Sequence, residues 1–589
     1  MKFDVAIIGG GPGGSTCGSF LKKYKPTLKV GIFERETFPR DHIGESQLPV
    51  IGSILNELGV WDKIERADFP IKVGGTYRWG KTDDLWDFHF LPNGEFFEKE
   101  RPGTYEGQRL ETAFQVDRSV YDKILLDHSR ELGCDVYEGS GVREVKRSGD
   151  TVTGLVLQDG TEVQARHYVD ASGHVGVLRR AMGVEIDEPS TLKNVAFWDY
   201  WQNAEWAVTL GIGGTRIQVM SVGYGWLWFI PLSPTRTSLG FVCPADYYKK
   251  SGLTPKELYY KAIQDEPRIS ALVRNGSAEG NFGSTKDWSF VAHRMTGENW
   301  ILAGESSGFA DPILSAGLSL THASAREAAF TILELDRGGD KQWLVEQYFG
   351  RNKRRVMQHI RFADYWYAGN QHFSDLKDYT SEIAKDAGLD LDGEKAFQWL
   401  GTGGFVEEDL GIGGFGTVSI GALHQIAARM SGDPGTIAFG GFNGFVLNFE
   451  GAKKVQLPHY EAGKVLPIPA YTRNGKVLPL SGLFGYLIKG LERSPRIFEA
   501  LSAMEKDLRS AGIQYDRSIH EGMTQCLEAL VRDGWVECRT YKTGDVLPND
   551  LPDSSFFQQN RDEFLPQGKR ASALTGPSVK SVPSPAREL

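Results

Sequence analysis

The opening stretch, KFDVAIIGGGPGGSTCGSFLKK, constrains this chain more than any other part of it. Phe3 to Ile8 is a short, largely apolar run of the kind that forms a buried parallel strand. Gly9, Gly11 and Gly14 follow as GxGxxG and lead into a helical pattern. The first glycine allows a tight turn, the second lets a pyrophosphate approach the backbone, and the third lets helix and strand pack closely. The helix N-terminus then offers N–H groups and a positive dipole end to phosphates. LKVGIFERE, Leu28 to Glu36, reads as a second strand, with Glu34 at its end to hold ribose hydroxyls. Gly411, Gly413 and Gly416 repeat the pattern, but VEED precedes them instead of a buried strand, so that copy reads as loop. One bound dinucleotide is expected, and no built-in NAD(P)H domain.

Composition narrows the class. The 589 residues suit two to four domains, and 40% hydrophobic with 24% charged residues describes a globular chain with a sizeable core. A net charge of −10 argues against nucleic acid as the main partner. The basic run GRNKRR, Gly350 to Arg355, reads as a solvated helix face. No apolar run approaches the roughly 18 residues that cross a bilayer, and the N-terminus lacks a signal-peptide pattern. Five cysteines without CxxC spacing read as reduced thiols of a cytoplasmic protein, and no metal site is visible.

Further along, GDTVTGLVLQDGTEVQARHYVDASG alternates like a hairpin around Asp159-Gly160. Strand runs continue through RIQVMSVGYGWLWFIPL and TRTSLGFV before a long helical stretch. The pattern is α/β: a Rossmann-like nucleotide-binding domain interleaved with a β-sheet substrate region over residues 1–355. A mainly helical, glycine-rich domain follows over 356–546; where ALVRDGWVE joins helix to strand it reads either as a winged-helix-like module or, in better accord with the acidic balance, as packing on the catalytic core or shaping of the substrate site. Residues 547–589, rich in Pro, Ser, Gln and Asn, read as a disordered tail.

FPRDHIGESQLP, FQVDRSVYDKILL, YVDASG and WILAGESSGFADPILSAG occur in the order found in FAD enzymes of the para-hydroxybenzoate hydroxylase type. Over about its first 350 residues the chain resembles the flavin-dependent halogenases of that group. It is closest in pattern to those of pyrrole, phenol and chloramphenicol-pathway chemistry, many of which act on carrier-tethered substrates. The resemblance implies FAD contacts from Gly9, Gly11, Gly14, Glu34, Arg40, Glu45, Arg118, the Val142 backbone, Gly304, Glu305, Pro312 and Gly317. Where the family motif reads Gly-Asp, this chain has Gly304-Glu305, which puts in doubt a covalent flavin link through an aspartate there. Backbone N–H groups of Ala316 and Gly317 are the implied halide site, beside Ser315. Leu314 stands where tryptophan halogenases carry a glutamate, which favours an electron-rich pyrrole or phenol.

WLWFIP, Trp226 to Pro231, matches the family's WxWxIP signature. On a strand Trp226, Trp228 and Ile230 share one face, which in the family stands between flavin and substrate. An ordinary aromatic core strand has the same composition. Lys72, just before Gly74-Gly75, matches the family lysine. Burial lowers a lysine pKa: neutral, it forms a chloramine with hypohalous acid; protonated, it polarises that acid. The implied activity is FADH2-dependent halogenation of an aromatic or carrier-bound substrate with chloride or bromide, with FADH2 delivered by a separate reductase. An aromatic hydroxylase or an isoprenoid-type flavin reductase is the alternative on the same fold. The aromatic patch YWYAGNQHF, Tyr365 to Phe373, reads equally as a substrate wall or as helix packing.

Overall fold

The computed structural model describes residues 1–81, 84–91, 100–105, 109, 111–209, 213–286, 289–386, 420–432, 436–549 and 557–559. The second glycine motif and most of the expected tail lie outside them. The elements that position the site are, in chain order, β1 (Lys2–Ile8), α1 (Pro12–Tyr24), β2 (Val30–Phe33), β3 (Ile71–Arg78) and α2 (Arg118–Glu131). After them come β4 (Glu162–Asp170), β5 (Asn194–Gln202), β6 (Gly214–Val222), β7 (Gly225–Pro231), β8 (Arg236–Pro244), β9 (Trp300–Leu302), α3 (Gly317–Asp336) and α4 (Lys341–Ala368).

β1 pairs in parallel with β2 on one side, Val5 opposite Val30, and with β4 on the other, Ile8 opposite Asp170. β9 extends the parallel order beyond β4. Parallel strands with helices over them are buried on both faces, which is why β1 carries Val5, Ala6 and Ile7 with no exposed surface. Thr151–Leu157 runs antiparallel to β4, the expected hairpin around Asp159-Gly160. This is the Rossmann-like layer.

The second layer, ten strands among the described residues, orders β5, β8, β7, β6 and β3 side by side. Here β6 meets β3 in parallel, with a bulge at Thr215/Arg216 opposite Lys72 and Gly74. Gly74 sits at φ +152°, and a Cβ on it would lie 1.9 Å from the Phe88 carbonyl oxygen, so only glycine fits. Bulges re-aim neighbouring side chains, and this one adjoins Lys72.

The basic run at 350–355 departs from its expected solvated face. Arg351 and Arg355 turn inward from α4 onto Glu327 of α3, with Nε–Oε1 of 2.8 Å and Nη2–Oε1 of 2.7 Å. Asn352 adds Nδ2–Oε2 at 3.0 Å. Periodicity had no means of showing that a carboxylate waits on the neighbouring helix. Helix α4 continues unbroken through Arg355 to Ala368.

Beyond it, the described chain is less helical than its composition suggests. A hairpin, Lys453–Glu461 with Lys464–Arg473, lies against α3, where Arg326 donates to the Tyr460 carbonyl at 2.7 Å. Helices Gly482–Arg493, Ile497–Ser510 and Arg517–Arg532 follow, and the strand Val536–Arg539 pairs back onto Gly444–Leu447. That strand's described partner lies upstream of all three helices.

Burial alone would raise the Glu327 carboxyl, but Arg355 and Arg351 hold it down, at about 2. Removing one member of a buried ion cluster leaves the rest uncompensated, so Glu327→Gln is expected to cost about 3–5 kcal/mol at neutral pH by denaturant unfolding. With its folded pKa depressed, Glu327 stabilises fully above its ordinary value of 4.5 and loses that contribution as pH falls toward 2. The gap between wild type and variant should therefore narrow across that window. A constant gap would mean that Glu327 is not ionised in the fold.

Candidate active site

Gly9 has φ +100°, and a Cβ there would lie 2.4 Å from the Ala171 carbonyl oxygen; a Cβ on Gly14 would lie 1.9 Å from the carbonyl oxygen of Gly9. The turn is therefore closed to any other residue at these two positions. α1 starts at Pro12 with no side-chain cap and no acid in its first turn, leaving its N-terminus suited to an anion. Glu34 is buried beside this loop and accepts from the Gly10 N–H at 2.6 Å and the Glu36 N–H at 2.9 Å. A carboxylate has further lone pairs for ribose hydroxyls. Arg40 reaches over the loop: its Nη2 lies 3.4 Å from where a Cβ of Gly11 would be, while its Nη1 holds Asp122 at 3.0 Å. Val142 opens the strand that follows the loop hydrogen-bonded to Glu34 through the Ser140 N–H. These groups fit an adenine dinucleotide.

Arg118 stands differently from a free cation. It is bidentate to Asp122, at 2.6 and 2.9 Å, and donates to the carbonyls of Ile43 and Gly44 at 2.9 and 3.1 Å. Its guanidinium thus moors the 40–48 segment. Glu45, on that segment, is buried and accepts from the Tyr200 hydroxyl at 3.1 Å. Burial pushes its carboxyl up to about 7 against the pull of Arg118. Glu305 is half-buried in the turn after Gly304, itself at φ +64°. Enclosure raises the Glu305 carboxyl too, with Arg118 and His174 opposing.

The 311–317 segment begins at Asp311, which caps the 3-10 turn Pro312–Leu314 through the Ile313 N–H at 3.0 Å. Ser315 takes φ +56°, a strained position for a non-glycine residue, and reverses the chain into α3. α3 opens at Ala316 and Gly317 with no side-chain cap and no acid in its first turn. Its N-terminus, like that of α1, is electrostatically prepared for an anion.

β7 has the two faces that alternation predicts. Trp226, Trp228 and Ile230 join a buried cluster with Ile313, Leu314, Phe88, Phe90 and Trp366, whereas Leu227 and Phe229 pack into a separate one with Leu239 and Phe241. The two indoles lie 6.0 Å apart between centroids. Each is tied down: Trp226 Nε1 donates to the Tyr367 hydroxyl at 2.7 Å, and Trp228 Nε1 to the Ser238 hydroxyl at 3.1 Å. Trp228 also lies over Gly240 of β8, where a Cβ would come within 2.1 Å of the indole. Sequence reading missed Gly240, because only strand register reveals which residue faces an indole. The Tyr365–Phe373 patch packs into the Trp226 cluster, with Tyr365, Trp366, Tyr367 and Phe373 buried.

Lys72 is 2% exposed. Its Nζ donates to the Gln47 carbonyl at 3.0 Å and lies 5.4 Å from the centroid of the Phe90 ring. Burial lowers its pKa to about 7, far below the usual lysine value. Phe90, over which the Lys72 amine lies, belongs to the same buried apolar cluster as the two indoles. Gln47 had no signal of its own in the sequence; its role is played by a backbone carbonyl.

All five cysteines are free thiols, and no described helix is long and apolar enough to cross a membrane. A family model described as tryptophan halogenase matches residues 4–105 and 93–376. The chain is 30% identical over 388 residues to the 1H-pyrrole-2-carbonyl-(peptidyl-carrier protein) chlorinase of Pseudomonas fluorescens, covering 63% of this chain and 85% of that protein. The myxobacterial chondrochloren halogenase CndH, described as FAD-dependent, superposes with a TM-score of 0.57 at 30% identity over 66% of this chain and 91% of that one. The flavin-dependent halogenase CmlS shares the fold further, with a TM-score of 0.68 at 22% identity over 94% of this chain and 99% of its own. Because the match runs across more than half of the chain and over the strands that carry the glycine loop, Lys72 and the paired tryptophans, the protein belongs to the tryptophan halogenase family of flavin-dependent halogenases.

Proposed function

We propose that this enzyme uses reduced FAD, O2 and chloride or bromide to halogenate an electron-rich phenol- or pyrrole-type ring, free or carried on a peptidyl-carrier protein, in secondary metabolism such as antibiotic biosynthesis. The observation that carries the reading is a buried lysine of lowered pKa lying against Phe90, a member of the same apolar cluster as two hydrogen-bonded indoles. A pyrrole-carrier-protein chlorinase among the relatives supports the carrier-bound form. Reduced flavin arrives from a separate reductase, and the protein works in the cytoplasm.

Bound reduced FAD would supply the two electrons that activate O2, and the activated oxygen would oxidise halide to hypohalous acid. Gly9, Gly11 and Gly14 admit its pyrophosphate, Arg40 pairs with the phosphates and Glu34 takes ribose hydroxyls. Val142 backs the adenine. Arg118, Glu45, Gly304, Glu305, Pro312 and Gly317 shape the flavin side. N–H groups of Ala316 and Gly317 hold the halide, in a turn set by Ser315. Trp226 and Trp228 keep the organic ring away from the flavin and leave passage only to hypohalous acid. At Lys72 the neutral amine keeps one N–H on the Gln47 carbonyl and offers its lone pair to the halogen of that acid. An N–X bond forms, the O–X bond breaks, and water leaves with the amine proton. The haloamine then passes its halogen to the ring: a C–X bond forms, the N–X bond breaks, and the proton lost from the ring carbon goes back to the Lys72 nitrogen. The C-terminal hairpin and helices shape the approach of the substrate.

The activity is tested by rapid mixing of FAD-reduced protein with oxygenated buffer, with and without halide and with no organic substrate. Chloride or bromide should change the flavin absorbance transient; if both leave it untouched, an aromatic hydroxylase becomes the better account.

Lys72→Met and Lys72→Arg should still release hypohalous acid to a trapping diketone but lose ring halogenation by at least about 100-fold, since arginine stays cationic. Normal ring halogenation by Lys72→Arg would mean that a cation suffices there. In wild type, halogenation should rise as pH passes upward through about 7, where Lys72 loses its proton. Because Glu45 titrates in the same range, the rise must survive in Glu45→Gln to be assigned to Lys72.

A further inference from the structure

We infer that Tyr367, held by Asp311, is a positioning residue that fixes the indole of Trp226 and so keeps the partition between flavin and substrate closed. The inference rests on the reading of Trp226 and Trp228 as that partition.

The direction of the hydrogen bonds carries the argument. An indole N–H can only donate, so at 2.7 Å the Tyr367 oxygen accepts from Trp226. Its own proton then goes to Asp311, whose carboxylate oxygens lie 3.1 and 3.3 Å away. Asp311 is itself held from two further sides. The Ile313 N–H donates at 3.0 Å from within the 311–317 segment, and Asn194 Nδ2 of β5 donates at 3.2 Å. Tyr379 in turn donates to the Asn194 side-chain carbonyl at 3.0 Å. Trp226, Tyr367, Asp311 and Asn194 are all buried, so water does not replace a lost partner.

One carboxylate therefore serves two segments: it caps the turn that leads into α3, and through Tyr367 it orients the wall. Trp228 is fixed differently, within its own sheet, by Ser238 and Gly240. Of the two, Trp226 is the one tied to α4, through a hydroxyl that ring packing does not require. Trp79 lies edge-on to both Tyr367 and Trp226, at 5.7 and 6.3 Å, and would keep its packing if that hydroxyl were removed.

The test is a double-mutant cycle of Trp226→Phe and Tyr367→Phe on the full chain, reading halogenated product per reduced FAD consumed. Each single change should lower that ratio by about fivefold or more, and the double variant should be no worse than Trp226→Phe alone, because Tyr367 acts through the indole N–H. In cofactor-free protein, the near-ultraviolet circular dichroism of Tyr367→Phe should lose the same indole contribution that Trp226→Phe removes. FAD affinity within about twofold of wild type in all variants shows that the fold is kept. A wild-type ratio or an unchanged indole band in Tyr367→Phe overturns the inference, as does a loss that multiplies with that of Trp226→Phe. A wild-type ratio in Trp226→Phe removes the partition reading beneath it.

Discussion

The pairing of Arg118 with Asp122 is the interaction on which the site depends. Asp122 is a fully buried carboxylate, and it takes Arg118 in a fork and Arg40 from the other side. With the fork satisfied, the remaining donor of Arg118 holds two consecutive carbonyls, those of Ile43 and Gly44. That anchors an extended segment whose other backbone support is the single antiparallel bridge from Ser46 to Gln115. From one end Arg40 leans over the glycine loop, and near the other the Gln47 carbonyl receives Lys72. Between them Glu45 meets Tyr200 of the second sheet. Cofactor loop and lysine are thus set relative to each other by one stretch of chain, pinned at its middle by a buried ion pair.

The second constraint is the two-sidedness of β7. A strand presents alternate residues to opposite faces, so five consecutive bulky residues divide between two cores rather than crowding one. Leu227 and Phe229 serve the stability of the sheet; Trp226, Trp228 and Ile230 line the region that also holds Phe90 and Leu314. The aromatic core strand and the proposed partition are the same object seen from its two sides. Both indoles find acceptors, unlike the buried indole nitrogens of Trp61 and Trp535, and the acceptors come from different elements.

Legibility followed range. GxGxxG was readable as a turn because its two close approaches, at Gly9 and Gly14, and the start of the helix all fall within six residues. The hairpin at Asp159-Gly160 and the alternation of β7 were readable for the same reason. GRNKRR was misread, because the carboxylate that draws Arg351 and Arg355 inward lies on another helix. The hairpin Lys453–Arg473 escaped notice because prolines at 458, 467 and 469 break its strand pattern, while packing on α3 supports it. Arg118 was recognised as important but not for turning all three of its nitrogens onto the chain itself.

By itself the sequence determined the nucleotide-binding turn, the parallel strand that feeds it, the alternation of the tryptophans and the presence of a lysine before a double glycine. Each is a local matter of backbone conformation or side-chain period, decided between near neighbours. Tertiary structure alone decided that Lys72 is buried and faces Phe90, that Gly240 lies beneath Trp228, and that Tyr367 and Asp311 stand behind Trp226. Those contacts join residues far apart along the chain, and their strength comes from exclusion of water. That environment does not exist until the two sheets and the long helices have packed.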